Sequence, residues 1–442
     1  MAADPTRSGP AATTRVRWLI LALIVGVSFV AYVLRTNLSI VGPAMIAELG
    51  ISEIQLGLVL SGFTLGYALF QFPGGVFGDL VGPRLAVTLI LVATGLLTLA
   101  TGLVPSVEAA SITVIVGLLV VVRFLVGMVQ APVFPVMTGG MVSNWFPVAA
   151  WGWPNGLSST GLTLGGAATG PLVVWLMLRF GWRGSFLLTA PLALALAALW
   201  WWTTRDYPAQ HPAVSPGEQA LVDAGRPPPL PAAARKGVWK AALANPDLLL
   251  LTASYFCMNY VFYLFFNWFF YYLVEVRGFP VEQAAALSAA QWIVGAVGAA
   301  LGGLLCDRMM QRFGPRWGAR LVPAFGLVAS AVLLAGGAWA ESPGLAVGLL
   351  AASFGCNQIT DPGFWAATIA VGDRHAGSAT GILNTGGNLV GFAGALLVPA
   401  AARVFGWPWA MASGALVALL GAVLWLWIRA DRPLVVPAAA GA

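Results

Sequence analysis

The sequence predicts an all-α membrane protein of twelve transmembrane helices, arranged as two pseudo-symmetric six-helix halves. Three observations carry this: a shortage of charge, a rhythm of apolar runs long enough to cross a bilayer, and a second half that repeats landmarks of the first. Of 442 residues, 59% are hydrophobic and 9% charged, with a mean hydropathy of +0.85. Soluble globular chains carry about 25% charged residues. The shortage runs along the whole sequence, so one anchor cannot explain it. The 53 glycines and 19 tryptophans suit close helix packing and interfacial belts respectively.

A span needs about 20 mainly apolar residues. Such runs fall near 18–41, 55–76, 85–104, 112–137, 154–178 and 185–203, and again near 247–274, 283–306, 319–340, 345–371, 378–401 and 407–428. These give five segments: a tail over 1–17, a first half over 18–203, a linker over 204–246, a second half over 247–428 and a tail over 429–442. The first run is too long for a signal-peptide core and has no small-residue cleavage site. The linker carries Arg205, Asp206, Glu218, Asp223, Arg226, Pro227-Pro228-Pro229, Arg235, Lys236 and Lys240. It is charged and proline-rich, and its end before Asn245-Pro246 suits a short amphipathic helix.

Basic residues test the topology. With both termini cytoplasmic, 16 of the 22 lie on cytoplasmic segments, including Arg7, Arg15, Arg17, Arg84, Arg308, Arg312, Arg316, Arg374 and Arg429. Four, namely Arg179, Arg183, Arg277 and Arg403, lie outside, and Arg35 and Arg123 lie within spans. This is the positive-inside pattern. It also accounts for the net charge of +6 without a nucleic-acid partner, because the basic residues never form a stripe on a soluble face.

The halves repeat. Gly74-Gly75-Val76-Phe77-Gly78-Asp79 precedes Gly82-Pro83-Arg84, and Gly302-Gly303-Leu304-Leu305-Cys306-Asp307 precedes Gly314-Pro315-Arg316, with the aspartates 228 apart. Gly156, Thr160-Gly161 and Gly181-Trp182 recur as Gly381, Thr385-Gly386 and Gly406-Trp407, each 225 apart. Parallel six-span repeats about an axis normal to the membrane place a substrate site between the halves.

The loop from Gly75 through Asp79 and Gly82 to Arg84 resembles the motif between spans two and three of the major facilitator superfamily. The stretches Tyr32-Val33-Leu34-Arg35-Thr36-Asn37-Leu38-Ser39, Gly66-Tyr67, Gln71-Phe72-Pro73-Gly74-Gly75, Arg123-Phe124-Leu125-Val126-Gly127, Gly181-Trp182-Arg183 and Asn384-Thr385-Gly386-Gly387-Asn388 are similar to the anion:cation symporter family. Its members move sugar acids, other organic carboxylates and, in animals, glutamate, sialic acid or phosphate. The resemblance implies alternating access, a role for Arg35 in binding a substrate carboxylate, and a supporting role for Arg123 in the site and its proton coupling. It implies that the loops with Asp79, Arg84 and Asp307 act as gates stabilising the outward-open state. The other reading of those charges is a solvated turn that only fixes topology.

The intramembrane residues point the same way on their own chemistry. An arginine at the bilayer centre costs about 2.5–3.5 kcal/mol on insertion scales, so Arg35 and Arg123 need a purpose. A guanidinium fork matches two carboxylate oxygens; the alternative is pairing with a protein acid or with carbonyls. Tyr32 stands one turn before Arg35, Tyr67 and Gln71 are four apart in the second span, and Asn384 and Asn388 are four apart in the eleventh. Each pair shares a face and reads either as pocket lining or as helix–helix hydrogen bonding. Gln130, two turns beyond Arg123, and Trp365, one turn beyond Asp361, join the candidate lining.

Asp361 is the acid set deepest within a span. Desolvated carboxyls exchange protons near neutral pH, which makes it the candidate for proton coupling by competing with the substrate anion for an arginine. The alternatives are a fixed ion pair or a bond to Asn357. The family's usual acids just before the first-span arginine and in the fourth span are replaced here by Leu34 and Gln130. Coupling to a proton, to another ion, or exchange without coupling all remain open.

No catalytic residue, metal or cofactor is expected. Cys257, Cys306 and Cys356 lie in apolar stretches without metal spacing and read as packing residues. His211 and His375 lie outside the spans and read as surface residues, and no Ser–His–Asp set or phosphate loop is present, so the chain does not read as an enzyme. Trp175, Trp200, Trp201 and Trp202 read as interface anchors. The expectation is a functional monomer in the bilayer of a bacterial inner membrane, carrying a small organic anion, with a proton as the candidate coupling ion. An exporter of hydrophobic compounds and an uncoupled anion exchanger are the alternatives.

Overall fold

The structure, a computed structural model, describes residues 13–147, 152–223, 238–372, 376–432 and 434. The described residues form a bundle of long helices: α1 (Val16–Leu49), α2 (Glu53–Val81), α3 (Pro83–Gly102) and α4 (Ile112–Gln130). A continuous run Gly152–Thr203 holds α5 and α6, divided at Gly181. Then come α7 (Pro246–Tyr271), the run Val281–Trp339 holding α8 and α9 divided at Gly314, α10 (Pro343–Gly372), α11 (Ala376–Phe405) and α12 (Trp407–Leu424). Beyond α4 the chain continues through Val133–Pro135, a π-helical turn Val136–Val142 and Ser143–Trp145.

Ten helical stretches are long and apolar enough to cross a membrane. One of them, Trp153–Thr203, has 51 residues and measures about 77 Å at 1.5 Å per residue. That is more than two bilayer cores of about 30 Å each, so the break at Gly181 makes it two spans. Pro343–Gly372 is the twelfth. Its 30 residues suffice in length, but Asn357, Gln358, Thr360 and Asp361 dilute its hydropathy. The protein is a multi-pass membrane protein.

The internal repeat is visible in the backbone. Gly82 and Gly314, between the second and third spans of each half, have φ of 83° and 74°; Gly181 and Gly406, between the fifth and sixth, have φ of 71° and 86°. All four combine this with ψ between 148° and 171°, a region open essentially to glycine alone. The repeated Gly-Pro and Gly-Trp pairs therefore mark the tight reversals between adjacent spans.

Helix ends follow local chemistry. Ser52 and Gln55 form a capping box on α2, Asn245 caps α7 through Leu248 N–H at 2.9 Å, and Gly50 ends α1 in the left-handed conformation. The first span runs eight residues past its expected end at 41, because Pro43 is absorbed inside α1. The linker holds two short helices, Pro216–Asp223 and Val238–Ala244; the second sits where an amphipathic helix was expected. Arg226 through Lys236 lie outside the described residues, as do Arg374 and His375. Glu218 is fully buried. It accepts from Thr14 Oγ1 at 2.6 Å and from the backbone N–H groups of Val16 and Arg17 at 3.1 Å each, and pairs with the Arg17 guanidinium. The linker thus caps α1, where a helix N-terminus favours an anion.

Two aromatic assignments change. Trp175 and Trp202 are exposed as expected for anchors. Trp200 is fully buried, and its Nε1–H donates to the Arg84 carbonyl at 3.2 Å, so it is a packing residue of the first half. His211 is part-buried rather than a free surface group: Nε2 lies 3.1 Å from the Thr203 carbonyl and its ring stands edge-on to Trp145.

The halves pack through α1 with α7, α2 with α11 and α5 with α8. The first-half residues that share an apolar core with the second half come from helix ends remote from the N-terminus, such as Leu38 to Leu60 and Val173 to Phe186. At the terminal end the first half keeps a separate core of its own, with Ile20, Ile90, Met141 and Trp200. At the remote end, Tyr271 Oη donates to Glu53 Oε1 at 2.6 Å across the halves.

Candidate functional site

Between the halves lies a cavity of about 400 Å³. Eight of the residues singled out from the sequence line it: Tyr32, Arg35, Tyr67, Gln130, Asp361, Trp365, Asn384 and Asn388. They come from α1, α2, α4, α10 and α11, so neither half forms the site alone.

Arg35 is its cationic centre. It is buried at 6% exposure. Its guanidinium carbon lies 4.5 Å from the Tyr67 ring centroid, 4.9 Å from Phe63, 5.1 Å from Phe266 and 5.2 Å from Tyr32. Four ring faces stabilise a cation by about 0.5–2 kcal/mol each, which offsets part of the cost of removing it from water. One nitrogen, Nη2, donates to Tyr263 Oη at 3.0 Å. Among the described residues no carboxylate lies within 4 Å of Arg35, and its Nε–H is buried without a partner.

A polar chain runs from Arg35 across both halves. Tyr263 Oη donates to Asn388 Oδ1 at 2.6 Å, Asn388 Nδ2 donates to Asn384 Oδ1 at 2.8 Å, and Asn384 Nδ2 donates to Gln71 Oε1 at 2.9 Å. Asn384 and Asn388, joined to each other within α11, therefore bond to α2 through Gln71 and to α7 through Tyr263 while lining the cavity. Gln71 itself does not line the cavity; it braces Asn384 from behind.

Arg123 is likewise behind the wall. It is 3% exposed, and Nη2 donates to the backbone carbonyl of Arg35 at 3.0 Å. Of the two alternatives open for it, pairing with a carbonyl is the one observed, and it buttresses α1 at the point that presents Arg35.

Asp361 takes two hydrogen bonds, both on Oδ1: from Tyr255 Oη and from Trp365 Nε1, each at 3.2 Å. No basic nitrogen of the described residues lies within 4 Å of it, and nothing described donates to Oδ2. The direct competition between carboxylate and substrate for an arginine, expected from the sequence, is not the arrangement in this conformation. The bond to Asn357 is also not made; both polar atoms of that side chain are buried and unpartnered. Trp365 approaches Phe134 of the first half at 6.4 Å between centroids, toward the terminal end of the cavity.

The sequence reading missed α7. Tyr255, Asn259 and Tyr263 recur every fourth residue, so they form one polar stripe in an aromatic span, and all three meet the site: Tyr255 and Asn259 line the cavity and Tyr263 holds Arg35. That spacing was readable. Trp292 of α8 and Gln358 of α10 also line the cavity and carry no such pattern.

At the terminal end, the N-terminus of α3 is held by the first half. Asp206 Oδ1 accepts from the Arg84 N–H at 2.8 Å, while the Arg84 guanidinium stacks on Trp201, 4.0 Å from its centroid, and donates to the Trp201 carbonyl. The side chain of Asp79 lies outside the described residues. Asp307 sits within the run that holds α8 and α9. At the remote end the Trp182-Arg183 pair grips Glu48: Trp182 Nε1 donates to Oε2 at 2.9 Å, and Arg183 pairs with Oε1.

This fold and site define a membrane carrier. The sequence profile of the Major Facilitator Superfamily matches residues 24–315, and the chain belongs to that superfamily; it is a transporter and not an enzyme. The chain is 31% identical over 378 residues to a probable sulfoacetate transporter of Cupriavidus necator, covering 85% of each chain. It is 29% identical over 374 residues to a hexuronate transporter of Bacillus subtilis, covering 83% of each. The resemblance to anion transporters of the sugar-acid type is thereby borne out. In fold it is similar to a bacterial homologue of the human lysosomal transporter Spinster, solved in an inward-facing, unoccupied conformation. That similarity has a TM-score of 0.80 at 18% identity, over 94% of this chain and 98% of the other.

Proposed function

We propose that the protein is a secondary transporter of small organic anions, working by alternating access about the cavity between its halves. One observation carries this: Arg35, buried and boxed by aromatic rings, lines an interdomain cavity with no carboxylate of the described residues paired to it. A buried guanidinium lacking an acidic partner is a standing attraction for a ligand carboxylate or sulfonate. The relatives named as sulfoacetate and hexuronate transporters support the same class.

In this proposal Arg35 binds the anionic group, and Tyr32, Tyr67, Gln130, Asn384, Asn388 and Trp365 shape the pocket and satisfy substrate hydroxyls. Arg123 and Gln71 support them from behind. Asp361 takes the proton that accompanies a monoanion; its protonation leaves a cavity whose net charge favours the anion. Because Leu34 and Gln130 are neutral, coupling rests on Asp361, and exchange without coupling is the second reading.

The positive-inside distribution supports a bacterial inner membrane with both termini cytoplasmic. Residues 1–17, 204–246 and 429–442 are then cytoplasmic tails and linker around the halves 18–203 and 247–428. The sealed end, with Glu53 and Tyr271, is periplasmic, and the conformation is inward-facing. Asp79, Arg84 and Asp307 belong to the cytoplasmic gate, with Arg84 held inside its own half while that gate is open. The protein functions as a monomer.

The test is uptake into liposomes of labelled hexuronate, glucarate and sulfoacetate under imposed pH and anion gradients, comparing wild type with Arg35→Ala. Saturable flux lost in the variant supports the proposal. Flux of all three unchanged by Arg35→Ala sinks it.

A further inference from the structure

The cavity holds one charge of each sign, and they are not paired with each other. Arg35 stands at one end of the α7 stripe, bonded to Tyr263; Asp361 stands at the other, bonded to Tyr255. Those tyrosines are eight residues apart, about 12 Å along the helix at 1.5 Å per residue. Both charged groups line the same space. Neither has an opposite charge within 4 Å among the described residues. Proteins rarely leave two opposite buried charges apart, because each then bears its desolvation cost uncompensated.

Resting on the anion-transporter proposal, we propose that the preferred substrate carries its own cation: an ω-ammonium carboxylate or sulfonate, with the anionic group on Arg35 and the ammonium on Asp361. Three features at the Asp361 end suit an ammonium. Its two protein donors both serve Oδ1, which leaves Oδ2 to the cavity. Tyr255 and Trp365, packed edge-on with centroids 6.2 Å apart, fix the carboxyl by these two donors, so Oδ2 keeps its direction. Asn259 and Gln358 also line the cavity, and a turn of either amide brings an acceptor oxygen to an ammonium; Gln358 Oε1 has no protein partner to give up. With a charge-assisted contact at each end, the spacing of Arg35 and Asp361 selects one chain length from a series of such substrates. The ammonium takes the place of the proton that a simple monoanion needs on Asp361, so movement of such a substrate is indifferent to a pH gradient.

The experiment uses the full chain in liposomes with matched probe pairs: ω-amino carboxylates from 3-aminopropanoate to 6-aminohexanoate, each against the ω-hydroxy acid of equal length, with glutarate as a dianion. A hydrogen bond to a charged group is worth about 1.5–3 kcal/mol, so at the best length the amino probe should bind about tenfold to a hundredfold more tightly than its hydroxy partner. Asp361→Asn should bring that ratio near one while leaving hydroxy-acid binding dependent on Arg35. A hydroxy acid or glutarate bound as tightly as every amino probe in the wild type overturns the inference, and so does a ratio unmoved by Asp361→Asn. Failure of the underlying proposal looks different: no probe of any class would then lose binding in Arg35→Ala. The wild-type ratio decides the matter alone if Asp361→Asn does not fold.

Discussion

Arg123 donates a hydrogen bond from Nη2 to the main-chain oxygen of Arg35 at 3.0 Å. The two intramembrane arginines are thus stacked in depth: one faces the cavity and the other holds the backbone that presents it. This separates their expected phenotypes. Arg35→Lys replaces a planar fork with a point charge and should raise KM for the anion about tenfold or more, a loss of about 1.4 kcal/mol. Arg123→Lys keeps a donor for the carbonyl and should leave KM within a few-fold. Arg123→Ala should lower both thermal stability and maximal flux, because it removes the buried donor that ties α4 to the backbone of α1 and leaves a void behind Arg35. Initial-rate uptake in liposomes with melting curves in detergent checks all three; equal KM changes in the two lysine variants would contradict the division of labour.

The seal at the end remote from the termini depends on α2 lying directly against α11. A Cβ on Gly57 would collide with the Ala395 carbonyl oxygen and come within 3.2 Å of Pro399 Cγ. Backbone atoms cannot step aside as a flexible side chain would, so Gly57→Ala should disfavour this conformation specifically. Single cysteines placed near the Glu53–Tyr271 bond should then label several-fold faster with a membrane-impermeant thiol reagent from that side, and net transport should fall about tenfold for each 1.4 kcal/mol by which the seal is weakened. Unchanged labelling would show that the contact yields without cost.

The architecture was legible because it rests on features that local sequence carries: apolar runs, four glycines at reversals only glycine accepts, and an asymmetric scatter of arginines. The half of the site made by single intramembrane charges was legible for the same reason. Arg35 and Asp361 violate the composition of their surroundings and announce themselves. What escaped was relational. Tyr263 becomes important only through its 3.0 Å approach from Arg35, and Gln71 and Arg123 point behind the wall rather than into the cavity, which helix periodicity cannot distinguish across packed neighbours. Trp200 misled because a Trp at a span end suits either an interface or a core, and its partner, the Arg84 carbonyl, lies 116 residues away.

Glu218 ties the linker to the start of α1 through four donors while wholly buried. Glu218→Ala strands two helix-terminal N–H groups and leaves the Thr14 hydroxyl only its longer bond to Ser215 Oγ, at a cost of about 1–3 kcal/mol. The expected outcome is a lower melting temperature in detergent with substrate affinity unchanged, since the contact is remote from Arg35. Glu218→Gln, which keeps one acceptor oxygen but loses the ion pair with Arg17, should fall between. A KM shift without a stability change would place the linker in the transport cycle instead.

In the proposed cycle Asp361 decides how transport is driven. With the carboxyl intact, a monoanion and a proton enter together, so an inward pH gradient should accumulate a labelled monoanion, and accumulation should decline as the gradient is collapsed. Asp361→Asn fixes the side chain in a neutral state that resembles the protonated carboxyl. The variant should lose gradient-driven accumulation by tenfold or more, yet retain exchange of internal for external anion, because exchange requires only that Arg35 be loaded in both directions. Its exchange rate should also become flat with pH over the range where wild type slows as alkalinity removes the proton. The Tyr255 and Trp365 donors remain satisfied by the amide oxygen, so the fold should survive, and a melting curve checks that separately. Accumulation that persists in Asp361→Asn assigns the coupling step to another group, and loss of exchange along with accumulation makes Asp361 part of the binding site for the anion itself.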